Sequence, residues 1–241
     1  MEIIAPFGWL ILAAFIAGLV DAVVGGGGLV QIPALFAAQP GAAPATLFGT
    51  NKFASVFGTA NAAWRYARRV EMPWRTILPA ALAAFALSYA GAAAVAWLPK
   101  DAVRPLILFL LIFAAGYTLL KKDFGQLHRP AHSGRRELAY AVLLGGVIGF
   151  YDGFFGFDFL HASAGAKVVN VATNLAALAF FLPAGHIIAA LAGAMAVANI
   201  AGSVAGTWLA LRHGSGFIRI VFLVVVGVLI VKFAWDTFAG V

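Results

Sequence analysis

The stretch from Gly18 to Thr59 places strongly polar residues inside a long apolar run, and this combination constrains the fold more than any other part of the sequence. Asp21 lies among apolar residues, glycines occupy positions 25–28, and Thr50-Asn51-Lys52 follows further along. Ionisable side chains are costly in hydrocarbon, so inside a membrane segment they mark functional positions. An apolar segment that is interrupted by glycine and proline and carries polar groups is typical of a broken transmembrane helix at a transport site.

The pattern returns in the second half of the chain. A frame that begins at Gly18 and reads GLVDAVVG recurs at Gly149 as GFYDGFFG, which places Asp152 in correspondence with Asp21. The same kind of interruption in both halves predicts a transporter that is built from two repeats.

A second repeated motif follows each aspartate. The sequence GTNK, which ends at Lys52, is matched by GAK, which ends at Lys167. Each lysine belongs to a train of polar residues at helical spacing, which predicts a polar face on each helix. These trains contain Asn51, Ser55 and Thr59 in the first half and Asn170, Thr173 and Asn174 in the second.

Composition defines the class of protein. The chain has 241 residues, of which 63% are hydrophobic and 10% charged, whereas a soluble domain carries about 25% charged residues. We therefore predict an all-α, polytopic membrane helix bundle. Cysteine is absent, which excludes disulfides, thiol catalysis and iron–sulfur ligation. The five histidines lack metal-ligand spacing, so neither a metal nor a cofactor is expected.

Apolar runs and their punctuation predict the helical segments, since a spanning helix needs about 20 apolar residues. The second segment is only half that length. We expect a first membrane repeat at 1–120, a cytoplasmic linker loop at 121–137 and a second repeat at 138–241. The predicted segments are 3–24, 26–38, 44–66, 76–97, 103–120, 138–156, 159–182, 184–211 and 217–238.

The basic residues predict the orientation. They concentrate at 65–75, 121–137 and 212–219, whereas the opposing loop at 98–104 has only Lys100 and Arg104. By the positive-inside rule the basic loops are predicted to be cytoplasmic and both termini to face the periplasm. The net charge of +7 thus reflects topology, and nucleic acid is not an expected partner.

The second half is short by one segment. Asp21 and Lys52 are 31 positions apart, but Asp152 and Lys167 only 15, and the deficit of 16 is the length of one short helix. We expect about 16 residues to be missing after Gly156, by deletion or as an unresolved segment. Ten segments, five plus five, would then form two repeats of opposite orientation, because a unit with an odd number of crossings inverts its successor.

These motifs together resemble the sulfite exporter TauE/SafE family, also called TSUP, over essentially the whole chain. The resemblance implies an inner-membrane carrier for sulfite, sulfonates or other small anions. The chain departs from the family after Gly156, where the family normally continues with a Pro/Gly/Thr stretch and another apolar segment. Family motif positions are Asp21, Gly25, Pro33, Asn51, Lys52, Asp152, Lys167 and Asn174.

Each candidate residue has a functional and a structural interpretation. The lysines can meet an anionic substrate with three donors each, or pair with the aspartates to hold the fold. The aspartates can carry protons, cap a half-helix or neutralise a lysine. The glycine run can bind an anion through its N–H groups or allow close packing, and the polar trains can face a cavity or join helices. The predicted substrate-binding set is Asp21, Gly25, Gly26, Gln31, Asn51, Lys52, Ser55, Asp152, Lys167, Asn170, Thr173 and Asn174.

The favoured function is secondary transport of a small sulfur oxyanion or sulfonate, most simply export, by alternating access. An anion channel, or a permease for another small organic anion, is the alternative. An enzyme embedded in the membrane fits least, because the sequence shows no nucleophile–base pair, metal set or cofactor motif. No catalytic residues are therefore predicted.

Overall fold

The computed structural model describes residues 4–69, 71–120, 135–155 and 164–213, together with ten positions between 220 and 235. Throughout these residues the regular structure is helical and no strand occurs, which confirms the all-α prediction. Trp74–Val95 and Ala189–Ala210 are long and apolar enough to cross a membrane. The helices are α1 (Ile4–Val24), α2 (Gly28–Ala38), α3 (Pro44–Ala67), α4 (Trp74–Val95), α5 (Lys100–Leu120), α6 (Arg135–Phe155), α7 (Ala164–Phe181), α8 (Ala189–His213) and α9, the helical positions between 220 and 235.

The predicted break after the first helix is present. Gly25 and Gly26 have φ angles of 78° and 82°, in the left-handed region that residues with a Cβ rarely enter. The chain then starts α2, an 11-residue helix that contains Pro33 and is buried from Gly28 to Phe36. A half-length helix thus lies inside the bundle, where protein can satisfy the backbone at the break.

Helices α1 and α3 both run parallel to α8. Gly202 lies against Phe15 and Gly206 against Leu19, so residue numbers rise together along α1 and α8. The backbones approach so closely that a Cβ on either glycine would collide with main-chain atoms of α1. Small residues allow this contact where no hydrophobic force drives helices together.

Helices α6 and α7 of the second half form a corresponding group around α4, which belongs to the first half. Gly145 and Gly149 of α6 lie against Ala80 and Ala84, so α6 and α4 are parallel. Helix α7 packs on the same helix, where Ser88 Oγ donates to the backbone of Thr173 at 3.0 Å.

Helices α3 and α7 bring the two groups together and run antiparallel. Gly49 lies against Phe181, whereas Thr59, further along α3, contacts Asn174, which is earlier in α7.

Several predicted boundaries differ from the structure. Helix α8 begins at Ala189 rather than 184, because the chain turns at Gly185 (φ 71°) and the Ile188 N–H donates to Thr50 Oγ1 at 3.0 Å instead of to its own helix. Helix α4 begins two residues before the predicted 76, and α5 three before 103. Helix α6 begins at Arg135, three residues before the predicted 138.

Other predictions concern residues outside the described part of the chain. The expected gap after Gly156, the start of the segment at 159–182 and most of the linker at 121–137 fall there. Within the predicted last segment, four described apolar residues recur every three or four positions and contact the core, as one face of a helix does. They are Leu223, Val226, Ile230 and Ala234.

Candidate functional site

Lys52 and Asp152 form a buried ion pair between α3 and α6. Their Nζ and Oδ1 atoms are 2.7 Å apart, and each side chain is 1% exposed. Lys52 Nζ also donates to Asn174 Oδ1 on α7, at 3.1 Å. A lysine buried this deeply would otherwise lose its hydration without compensation, so three helices converge on one ammonium group.

Lys167 and Asp21 form a second pair between α7 and α1. Lys167 Nζ lies 3.5 Å from Asp21 Oδ1 and donates to the Asp21 carbonyl oxygen. That carbonyl is in the last turn of α1, just before the glycine break. A cation there also complements the negative end of the helix dipole.

Thr59 and Asn174 join the two pairs. Asn174 Nδ2 donates to Thr59 Oγ1 at 3.4 Å, and Thr59 Oγ1 contacts Asp21 Oδ2 at 3.1 Å. The result is one continuous network across four helices, in the order Asp152, Lys52, Asn174, Thr59, Asp21, Lys167.

Helical spacing accounts for this convergence. On α3, Ser55 and Thr59 follow Lys52 by three and seven residues, and on α7, Asn170 and Asn174 follow Lys167 by the same intervals. Residues three, four and seven apart share one face of a helix. Both polar faces can therefore meet where α3 and α7 cross.

Three buried polar atoms have no hydrogen-bond partner among the described residues. They are Asp152 Oδ2, Asn51 Oδ1 and Asn170 Nδ2. Buried polar atoms are nearly always paired, and an unpaired one costs about 1–3 kcal/mol. All three residues belong to the predicted substrate-binding set.

Gln31 lies outside the network and ties α2 to the bundle. Its Nε2 donates to the Asn51 carbonyl at 3.5 Å, and its Oε1 accepts from Asn199 Nδ2 at 3.0 Å. Gly25 and Gly26 shape the break between α1 and α2, close to Asp21.

Ser55 and Thr173 each take part in a hydrogen bond within their own helix. The Ser55 carbonyl lies 2.9 Å from Thr59 Oγ1 and shares its one hydroxyl hydrogen with Asp21 Oδ2, and Thr173 Oγ1 donates to the Asn170 carbonyl at 2.9 Å. Thr59 was missing from the predicted set, although it connects the two ion pairs. Its position seven residues after Lys52 was the signal that could have identified it.

Hydrogen bonds in the two halves recur at one fixed spacing. Ser203 Oγ donates to the Gly58 carbonyl at 2.7 Å, as Ser88 Oγ does to the Thr173 carbonyl at 3.0 Å. The differences 203 − 88 and 173 − 58 are both 115, which is also the spacing between the two lysines.

Glycine contacts show the same relation and add a second spacing. Gly202 lies against Phe15 as Gly146 lies against Leu87. The difference 202 − 87 is again 115, whereas 146 − 15 is 131, the spacing between Asp21 and Asp152. The two spacings differ by 16 residues.

Comparison with known proteins identifies the same group of membrane proteins over most of the chain. The family described as Sulfite exporter TauE/SafE matches residues 10–158. The "Probable membrane transporter protein ORF9" of a Sinorhizobium species is 33% identical, over 90% of this chain and 88% of that protein. The "Probable membrane transporter protein YfcA" of Escherichia coli K12 is 32% identical, over 95% of this chain and 90% of that protein. No solved structure matches the chain significantly.

The relatives have aligned positions that this chain lacks. The alignment with the Escherichia coli protein runs over 246 positions, but 95% of 241 residues is about 229, which leaves about 17 positions unmatched. For the Sinorhizobium protein, 90% of 241 is about 217, which leaves about 16 of 233 positions unmatched.

Proposed function

This chain belongs to the sulfite exporter TauE/SafE family and is a membrane transporter, and from this premise we propose that it carries sulfite, a sulfonate or a related small anion across the bacterial inner membrane. We further propose that it acts as a carrier without enzymatic activity. The small anionic substrate and the surrounding lipid bilayer are its expected partners.

Spare donor capacity on two buried lysines is the observation that carries the proposal. An ammonium group has three N–H donors. Lys52 uses two of them, on Asp152 Oδ1 and Asn174 Oδ1, and Lys167 also uses two, both on Asp21. Among the described residues, each lysine therefore keeps one donor for an anion, and Asn170 Nδ2, which has no partner there, adds a third on the face of α7 that carries Lys167.

Burial of the site favours a carrier over a channel. Lys52, Asp152 and Lys167 are each 1% exposed, so an ion that reaches them needs a rearrangement of the surrounding helices. Such a rearrangement in each transport cycle is what alternating access requires.

We propose that the two halves of the chain are inverted repeats and that the rearrangement moves one repeat relative to the other. The spacings of 115 and 131 map α1, α3 and α4 onto α6, α7 and α8, and they carry contacts of one half onto contacts of the other. The corresponding helices α3 and α7 run antiparallel. This antiparallel arrangement is expected when a two-fold axis lies in the membrane plane.

The change in spacing supports the expected deficit in the second repeat. It amounts to 16 residues and falls between Asp152 and Lys167, where the first repeat contains α2. The relatives have about 16 or 17 aligned positions without a counterpart here. We therefore infer that the second repeat lacks a counterpart of α2, by deletion.

Export agrees with the membrane potential. When one negative charge leaves an inside-negative cell, about 2.3 kcal/mol of free energy is released per 100 mV, so a uniporter needs no coupled ion. Cytoplasmic basic loops and periplasmic termini remain the proposed orientation.

Reconstitution into proteoliposomes tests the function. We expect sulfite to accumulate in vesicles with a positive interior, and only to equilibrate across the membrane without an imposed potential. Single-channel currents far above carrier rates would favour the channel instead. Absence of any anion flux from folded protein would exclude both.

A further inference from the structure

The two aspartates of the site differ in the hydrogen bonding of one carboxylate oxygen, Oδ2. Asp21 Oδ1 lies beside Lys167 Nζ, and its Oδ2 is in hydrogen-bond contact with Thr59 Oγ1, whose one hydrogen it shares with the Ser55 carbonyl. Asp152 Oδ1 accepts from Lys52 Nζ, but its Oδ2 is buried and has no donor among the described residues. An ionised carboxylate can only accept hydrogen bonds, so Asp152 Oδ2 requires a donor that the described residues do not supply.

An unused donor lies next to this unused acceptor. Within the part of the chain that the structure describes, Lys52 Nζ has one N–H left after Asp152 Oδ1 and Asn174 Oδ1. Nζ is 2.7 Å from Oδ1, and Oδ2 is bonded to the same carboxyl carbon. One small molecule can therefore reach the free N–H and the free oxygen together, provided that it offers both an acceptor and a donor.

This requirement distinguishes between kinds of anion. An ionised sulfonate has only acceptor oxygens, and one of them would face the negative Asp152 Oδ2. An oxyanion that keeps one hydroxyl hydrogen has a donor on one oxygen and acceptors on the others. Leaving the buried carboxylate oxygen unpaired has a cost, and only the second kind of anion removes it.

We propose that the substrate bound at Lys52 and Asp152 is an oxyanion that retains one hydroxyl group, such as hydrogensulfite. Its O–H donates to Asp152 Oδ2, and a second oxygen accepts from Lys52 Nζ. This inference rests on the proposed function and narrows its substrate to hydroxyl-bearing anions, at the expense of sulfonates.

The charges around the pair agree with a singly charged ligand. Asp152 of α6 faces Lys52 of α3, and Asn174 of α7 accepts a hydrogen bond from the same ammonium group. The remaining charged groups of the network are Asp21 and Lys167. Two lysines and two aspartates balance, so a hydrogen oxyanion adds one negative charge to a neutral site. Its fully ionised form would add two and would lose the donor.

The first test uses the unmodified transporter in proteoliposomes, with sulfite and methanesulfonate as probes. We expect a preference for sulfite of about 10- to 100-fold, because one hydrogen bond to a charged group differs between them. Sulfite flux should follow the concentration of hydrogensulfite when the pH is varied across the second ionisation of sulfite. Methanesulfonate, which takes up no proton in this range, controls for effects of pH on the protein.

The second test changes the acceptor. Asp152→Asn can turn an amide N–H toward the substrate, so the preference for sulfite should fall at least about ten-fold. Gly193→Ala is the control, because Gly193 lies outside the network and an added Cβ there meets nothing within 4 Å; its preference should equal that of the unmodified protein. Thermal unfolding of both variants establishes that they fold, and if Asp152→Asn does not, the preference of the unmodified protein decides.

Each contrary result has a distinct meaning. Equal transport of both probes, or an unchanged preference in folded Asp152→Asn, would overturn the inference and leave the proposed function standing. Transport of methanesulfonate together with a proton would show that Asp152 Oδ2 is satisfied by a proton from water and not by a hydroxyl group of the substrate. This result would also overturn the inference. Transport of neither probe would reject the proposed function itself.

Discussion

Lys52 and Asp152 are 100 residues apart in the chain, yet their Nζ and Oδ1 atoms lie 2.7 Å apart inside the bundle. The pairing is crossed: Lys52 of the first half binds an aspartate of the second, and Lys167 of the second binds Asp21 of the first. Each ion pair therefore joins the two halves, so loss of one pair should loosen the contact between them.

The crossed pairing predicts which double variants recover. Lys52→Ala should strand the Asp152 carboxylate and destabilise the fold by about 3–5 kcal/mol. A second change, Asp152→Ala, should restore much of that stability, whereas Asp21→Ala should not. Thermal unfolding of the single and double variants measures this, and recovery with Asp21→Ala would contradict the pairing.

The same lysines are predicted to bind the substrate. Loss of one charged hydrogen bond should weaken anion affinity by about one to two decades, as measured by sulfite uptake against concentration. The informative variants are the lysine–aspartate doubles, whose folding is expected to recover. Unchanged affinity in a stable double variant would leave the lysines with a structural role alone.

Close packing of glycines gives a prediction about stability. Gly202→Ala would press a methyl group into the backbone at Phe15, and overpacking of this kind costs about 1–3 kcal/mol. Gly193→Ala on the same helix meets nothing within 4 Å and is the control. Equal unfolding temperatures for the two variants would show that α1 and α8 are less tightly packed than described.

Topology is testable because the chain has no cysteine. Arg129→Cys, in the predicted cytoplasmic loop, should resist impermeant thiol reagents in intact cells and react after the membrane is opened. Gly41→Cys, in the exposed turn between α2 and α3, should react from outside. Labelling of residue 129 in intact cells would reverse the orientation.

Insertion of a helix tests the deletion. A copy of residues 26–41, placed between Gly156 and Phe157, should raise the thermal stability and the transport rate if the second repeat has room for a counterpart of α2. A polar insert of equal length is the control. If both inserts lower activity equally, the second repeat has adapted to its shorter form.

The sequence predicted most helices because glycine, proline and charge interrupt the apolar runs at nearly every boundary. Helix α1 ends at Val24 as expected, before the glycines that break it. The start of α8 could not be predicted, because it depends on Ile188 bonding to Thr50, a residue far away in the chain. Spacing within one helix cannot reveal such partners.

The content of the site was predictable, but its connections were not. Periodicity placed Lys52 and Lys167 on polar faces, while the two possible roles of each lysine stayed open. Which aspartate meets which lysine depends on how α3 packs against α6 and α7. The role of Thr59 depends on the same packing, since it contacts both Asn174 and Asp21.

The balance of two buried lysines against two buried aspartates has an electrical consequence. When the empty transporter returns to its starting conformation, these four groups carry no net gating charge through the field. The return step should therefore proceed at the same rate at any voltage, while the loaded step alone responds to it. Such a transporter would resume its cycle equally fast in a fully energised cell and in a depolarised one.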